Sequence, residues 1–234
     1  MKVAIMQPYV FPYIGYYQLI YAVDKLIIYD DVTYIKQGWI NRNNILINKQ
    51  PYLFTIPLIN PSSSKLIYDT EINLSLYKSW RKKFLKSLEQ NYKHAPFFEI
   101  IYPKMLDTFN YDFKYIKELA EHSLILVMNY LNLEVNWTIA SSSYNNKFLR
   151  GKDRVIDICK QENATIYINP IGGIELYDKK DFNKEGINLQ FLKSKRIEYD
   201  QENKNFVPNL SIIDILMFNS PKTIHSFLKE YILI

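Results

Sequence analysis

Two adjacent acids, Asp30 and Asp31, stand where the apolar run Leu26-Ile27-Ile28-Tyr29 stops, and Lys36, Trp39, Asn41, Arg42 and Asn43 follow closely. An acid released from a strand end can act as a general base toward an attacking amine or hydroxyl, or hold a metal. Arg42 offers a planar fork for phosphate or carboxylate, and Lys36 a second cation. Trp39 can stack on a sugar or base, with Asn41 and Asn43 orienting hydroxyls. Asp31 is favoured over Asp30 as the base. The same residue set would equally form a structural ion pair of Asp31 with Arg42 or Lys36.

A second group precedes it. The short apolar run Lys2–Met6 opens into Gln7-Pro8-Tyr9-Val10-Phe11-Pro12-Tyr13-Ile14-Gly15, a proline-stiffened aromatic loop closing on glycine. A helix beginning near Tyr16 would present free N–H groups to a phosphate, with Gln7, Tyr9, Tyr13 and Gly15 around it. The alternative is a hydrophobic plug of Tyr9, Phe11 and Tyr13. A third group is Asn169-Pro170-Ile171-Gly172-Gly173 with Tyr177. Paired glycines let backbone amides approach a ligand, although Gly-Gly also makes an ordinary turn. Ser141-Ser142-Ser143 with Arg150, Lys152 and Arg154 could take a second phosphate, but reads first as a solvated loop.

Other chemistries find little support. Cys159 lies on an apolar helical stripe with Val155 and Ile158 and reads as packing. His94, His122 and His225 lack the cysteine or histidine company of a zinc site. A Ser-His-Asp or Cys-His arrangement stays open but has no Gly-x-Ser-x-Gly to support it, and without Gly-x-Gly-x-x-Gly or a Walker loop the dinucleotide and P-loop readings fall away.

The elements that must position these residues read as β-loop-α-β at the start, with Asp30-Asp31 ending the second strand. A hairpin spans 45–57, and a further strand is expected over 65–72. Helices follow over about 80–95, where Trp80, Phe84, Leu88 and Tyr92 recur every four residues, then 97–109 and 112–132. The stripe of the last is Phe113, Ile116, Ala120, Leu124, Val127 and Leu131. Alternation then resumes: strand 137–140, the serine loop, helix 152–162, strand 165–168 and strand 187–192. Helices over 211–219 and 221–232 complete the chain. The expected class is α/β, a mostly parallel sheet with an N-terminal β-loop-α-β unit. Residues 1–234 form a single domain, with a helical insertion or subdomain over approximately 74–133. In open parallel sheets ligands bind at the carboxyl ends of the strands, so that edge is the expected site.

With 48% hydrophobic residues the chain can bury a real core. No apolar stretch reaches the roughly 18 residues of a membrane span, so no integral membrane segment is expected. The opening apolar run is too short for a secretory leader. A lone cysteine fits a reducing, cytoplasmic setting. A net charge of +5 suits an anionic small molecule or a negatively charged membrane surface, and is too mild for a nucleic-acid stripe.

On these residues the chain resembles the WbqC-like family of bacterial surface-polysaccharide and O-antigen gene clusters. The likeness lies in Gln7-Pro8-Tyr9, Phe11–Tyr16, Tyr29–Val32, Lys36–Asn43, Tyr92 with Ala95–Phe98, Gly172-Gly173, Leu176–Asp178 and Leu210–Asp214. The resemblance implies a role in glycan assembly, for which a glycine transferase acting on an amino sugar has been suggested. It implies no catalytic residue. The resulting expectation is a transferase moving an aminoacyl or other acyl group onto the amine of a nucleotide-linked sugar. Asp31 or Asp30 would be the base, with Arg42 and Lys36 on the diphosphate and the amides of Gly172 and Gly173 at the oxyanion. The donor could be a thioester carrier, an acyl-tRNA or an ATP-activated acid. The alternatives are a nucleotide-sugar-binding or assembly protein without turnover, and an ATP-using nucleotidylyl transferase or ligase. The last is suggested by the strand-loop-helix layout and opposed by the absence of histidine from the loop. A homodimer is the default assembly, because closed twofold assemblies are common.

Overall fold

Strands β1 (Lys2–Met6) and β2 (Lys25–Ile28) lie parallel and adjacent, joined by α1 (Ile14–Ala22), as the alternation of short apolar runs requires. The computed structural model describes residues 1–234. After β2 come the hairpin β3 (Arg42–Ile47) and β4 (Gln50–Thr55), then helices α2 (Leu74–Tyr92), α3 (Phe98–Asn110) and α4 (Ile116–Tyr130). The chain re-enters the sheet through β5 (Asn136–Ile139), followed by the single turn α5 (Ala140–Ser143) and by α6 (Gly151–Gln161). It continues through β6 (Ile166–Pro170), α7 (Lys179–Lys184) and β7 (Asn188–Ser194). It finishes with α8 (Ile212–Phe218), α9 (Pro221–Leu228) and β8 (Tyr231–Leu233).

The six-stranded sheet has the order β5-β2-β1-β6-β7-β8. All neighbours are parallel except β8, which runs antiparallel to β7. The chain therefore winds outward from β1 through β2 to β5, then returns to β1's other side at β6. This reversal between β1 and β6 is the switch point of a doubly wound sheet, where loops diverge and leave a crevice.

Residue alternation assigns the two faces. Val3 and Ile5 of β1, Ile27, Tyr167, Leu189 and Phe191 face a smaller core with Val155, Ile158, Cys159 and Phe182 from α6 and α7. Ala4, Leu26, Ile28, Ile168 and Leu192 face the larger core, built with α1, α8, α9 and the inserted helices. Within that insertion Trp80 stacks on Phe84 at 4.9 Å, and Phe84 meets Phe109 edge-on at the same separation. The expected stripe from Phe113 to Leu131 is buried throughout.

Three local expectations need correction. Residues 65–72 are not a strand. The amide N–H groups of Ile67 and Tyr68 donate to Val32 and Asp30 carbonyls (2.9 and 3.0 Å), and the Thr70 hydroxyl donates back to the Leu66 carbonyl, curling the segment into a 3-10 turn at Ile67–Asp69. The serine loop is instead the single turn α5. The last helix stops at Leu228 rather than 232, and Tyr231–Leu233 instead adds an edge strand.

Candidate functional site

Loop 7–13 leaves β1 at the carboxyl edge and is held unusually hard. Phe11 is fully buried and takes φ +43°, a costly conformation for a bulky residue. Its backbone explains how this persists. The N–H donates to Ser123 Oγ of α4 (3.0 Å), and the carbonyl accepts from Asn43 Nδ2 of β3 (2.8 Å) and from Ser211 Oγ beside α8 (2.7 Å). Three elements thus over-determine one strained residue, as happens where a loop must keep a single shape. Gln7 sits at the strand tip, its carbonyl accepting from Tyr16 Oη at 2.9 Å. Tyr9 is half-buried against Tyr16, while Tyr13 is exposed at the rim. The Tyr13 ring lies over the start of α1, in the space a Cβ at Gly15 would enter. That start is Ile14, two residues before the expected position.

Both acids at the end of β2 are buried and bonded. Asp30 accepts from Ser141 N through Oδ1 (2.9 Å) and from Ser141 Oγ through Oδ2 (2.7 Å), holding the start of α5. Lys117 of α4 bridges to the same Oδ2 at 3.2 Å. Asp30 keeps no free oxygen. Asp31 turns toward the smaller core, its Oδ2 paired with Arg154 Nη2 at 2.6 Å. Asn146 Oδ1 accepts from Arg154 Nε, and the guanidinium lies 5.0 Å over the Tyr29 ring. Asp31 Oδ1 is buried with no partner. The ion pair considered for Asp31 therefore exists, but with Arg154 in place of Arg42 or Lys36.

The hairpin polar set is mostly architectural. Asn41 accepts from Tyr34 Oη and donates to the Ile56 carbonyl (2.7 and 2.8 Å). Asn43 ties the hairpin to loop 7–13. Arg42 does not face an anion: its Nε and Nη2 donate to the carbonyls of Gly38 and Gln37, and its head lies over Trp39. Lys36 and Trp39 are exposed on the same turn.

Beyond β6, the Asn169 side-chain amide occupies the space a Cβ at Gly173 would enter. Gly172 is open and exposed. Tyr177 packs edge-on to Tyr167 and Phe182 within the smaller core.

The residues that sequence reasoning missed lie on the inserted helix. Glu121, one turn beyond Lys117 on α4, keeps Oε1 buried and unpartnered. Burial raises its carboxyl to about 7, with Asp30 and Glu118 adding to the rise and Lys117 opposing it. It also lies near enough to Tyr16 to help raise that phenol. Lys-x-x-x-Glu spacing on a helix was the available signal, but such pairs are ordinary on solvated faces. Gln7, Tyr16, Asp30, Lys117 and Glu121 thus gather where β1 and β2 end. The arrangement offers a proton acceptor poised near neutrality, a cation beside it and neutral donors around it.

The WbqC-like protein family matches residues 7–226 of this chain. The uncharacterized protein Rv1507c of Mycobacterium tuberculosis is 29% identical over 222 residues, covering 92% of each chain. No solved structure matches. No helix is long and apolar enough to cross a membrane. A match running from the first site loop to the last helix shows that the chain belongs to the WbqC-like protein family.

Proposed function

We propose that this protein is a transferase of surface-polysaccharide sugar biosynthesis. In this reading it moves an aminoacyl or other acyl group onto the amine of a nucleotide-linked amino sugar at the carboxyl edge of the sheet. The observation carrying this reading is Glu121. Its carboxylate has an oxygen without a partner and a pKa of about 7, in a cluster closed by Asp30 and Lys117. A base near neutrality is what an amine nucleophile needs. The amine lone pair attacks the acyl carbon and forms the C–N bond, the bond to the donor's sulfur or oxygen breaks with its electron pair, and the amine proton passes to Glu121. Lys117 steadies charge beside the base. Gln7 and Tyr9, at the tip of β1, orient the sugar. Lys36, Trp39 and Gly172, all exposed, are left to the donor.

The test is product formation followed by mass spectrometry, with nucleotide-linked amino sugars offered against thioester, acyl-tRNA and ATP-activated donors. The acceptor should gain the acyl mass, and Glu121→Gln should lower turnover by about 10²-fold or more, within the range for loss of a general base. Tight nucleotide-sugar binding with no product from any donor class would instead support the non-catalytic binding protein. Unimpaired turnover in Glu121→Gln would remove Glu121 from the chemistry.

A further inference from the structure

Between β7 and α8 the chain runs through Lys195–Ser211 without any helix or strand. Irregular segments of this length are uncommon in compact domains and usually serve a purpose. This one is anchored at a cost. Asp214 is fully buried and has no cation partner; its carboxyl accepts from Tyr92 Oη (2.8 Å), Tyr199 Oη (2.6 Å) and Gln201 Nε2 (3.0 Å). Gln201 also clasps Val207 through both backbone groups, at 2.8 and 3.0 Å. A carboxylate held only by neutral donors is an expensive way to shape a loop.

What the anchored loop shapes is a cavity of about 420 Å³ at the carboxyl end of β7, within the size range of small-molecule sites. Tyr13, Tyr199 and Phe206 line it, the last two meeting edge-on at 5.2 Å. Lys195, Arg196 and Asn209 supply its polar groups. The two cations carry only surface partners, Glu230 at 3.1 Å for Lys195 and Glu198 for Arg196. Exposed pairs of that kind contribute little, so exchanging a carboxylate for a phosphate costs little. Aromatic walls beside an unburied cation pair suit a ligand with a flat ring at one end and two phosphates at the other.

We propose that this cavity binds a nucleoside diphosphate group, with its phosphates on Lys195 and Arg196 and its base or ribose against Tyr13, Tyr199 and Phe206. The inference rests on the transferase reading and deepens it, locating the nucleotide half of a substrate whose reacting half lies at Glu121. The same chemistry is present in a nucleotide-linked sugar and in coenzyme A, so the experiment must separate them.

Isothermal titration of the full chain at low salt, with UDP, dTDP, coenzyme A and inorganic pyrophosphate, reads this directly. At least one nucleotide should bind saturably. Lys195→Ala/Arg196→Ala should weaken it by at least about tenfold with the melting temperature unchanged, because both side chains are exposed. Phe206→Ala should weaken nucleotides several-fold and leave pyrophosphate unaffected. Binding of UDP or dTDP without coenzyme A marks the nucleotide-linked sugar as the source, and the converse marks the acyl donor. Absence of binding at millimolar concentrations, or binding indifferent to both variants, overturns the assignment. Glu121→Gln, run in parallel, keeps the two readings apart. Cavity binding without any acyl transfer sinks the transferase reading alone, whereas transfer with nucleotide binding untouched by the cavity variants sinks the cavity alone.

Discussion

Glu121 carries a charge its surroundings penalise. Its carboxyl is raised from 4.5 to about 7, so between those values the folded state binds a proton the unfolded chain does not. Stability from this group is therefore fullest below about pH 4.5, falls as pH rises through the window, and is lost above about 7. Glu121→Gln removes the penalty. Relative to the parent, the variant should gain about 2 kcal/mol more at pH 8 than at pH 5, discounting the shift for partial exposure. Urea unfolding at the two pH values measures it. An equal gain at both would show that the carboxylate is not held up by burial. If Glu121 is the base of the proposed transfer, the same substitution stabilises the protein while lowering turnover. The neighbouring acids teach a different lesson about legibility. Asp30-Asp31 stood out because two acids ended an apolar run, but their partners Lys117, Ser141 and Arg154 lie 87, 111 and 123 residues away. Local sequence offers Arg42 and Lys36 instead, and only the path of the chain through the sheet decides between near and distant cations.

At the scale of elements, the loop between β7 and α8 depends on one buried carboxylate. Tyr199→Phe deletes the 2.6 Å donor to Asp214 and leaves Gln201 as the remaining donor to that oxygen. The cost should be about 1–3 kcal/mol, the penalty of an under-satisfied buried acceptor. Limited proteolysis should then cut within 195–211 faster than in the parent, and unchanged cleavage would show that the loop is held by other contacts. Strand-length apolar runs and helical stripes were readable because periodicity reports directly on which side of an element is buried. Residues 65–72 include Leu66, Ile67, Tyr68 and Ile72 but curl, because the Val32 and Asp30 carbonyls, unknowable from composition, claim the Ile67 and Tyr68 amides. Lys195–Ser211 has no period to read, so a cavity wall passed as an unremarked connector.

For the whole molecule, alternation of strands and helices was enough to expect a mostly parallel α/β sheet, and α2, α3 and α4 lie between β2 and β5. The placing of β5, β6 and β7 around the β1–β2 pair was not legible, and with it the reversal between β1 and β6. The fold also separates its two cores with the sheet, and the smaller one encloses Cys159 completely. Burial pushes that thiol up to about 12, so it is neither accessible nor ionised at neutral pH. The chain thus carries its own clock for breathing. A thiol-reactive dye should label Cys159 only when α6 lifts away from the sheet, at a rate that tracks urea concentration. Instant labelling in native buffer would mean that this half of the molecule is far looser than its packing implies.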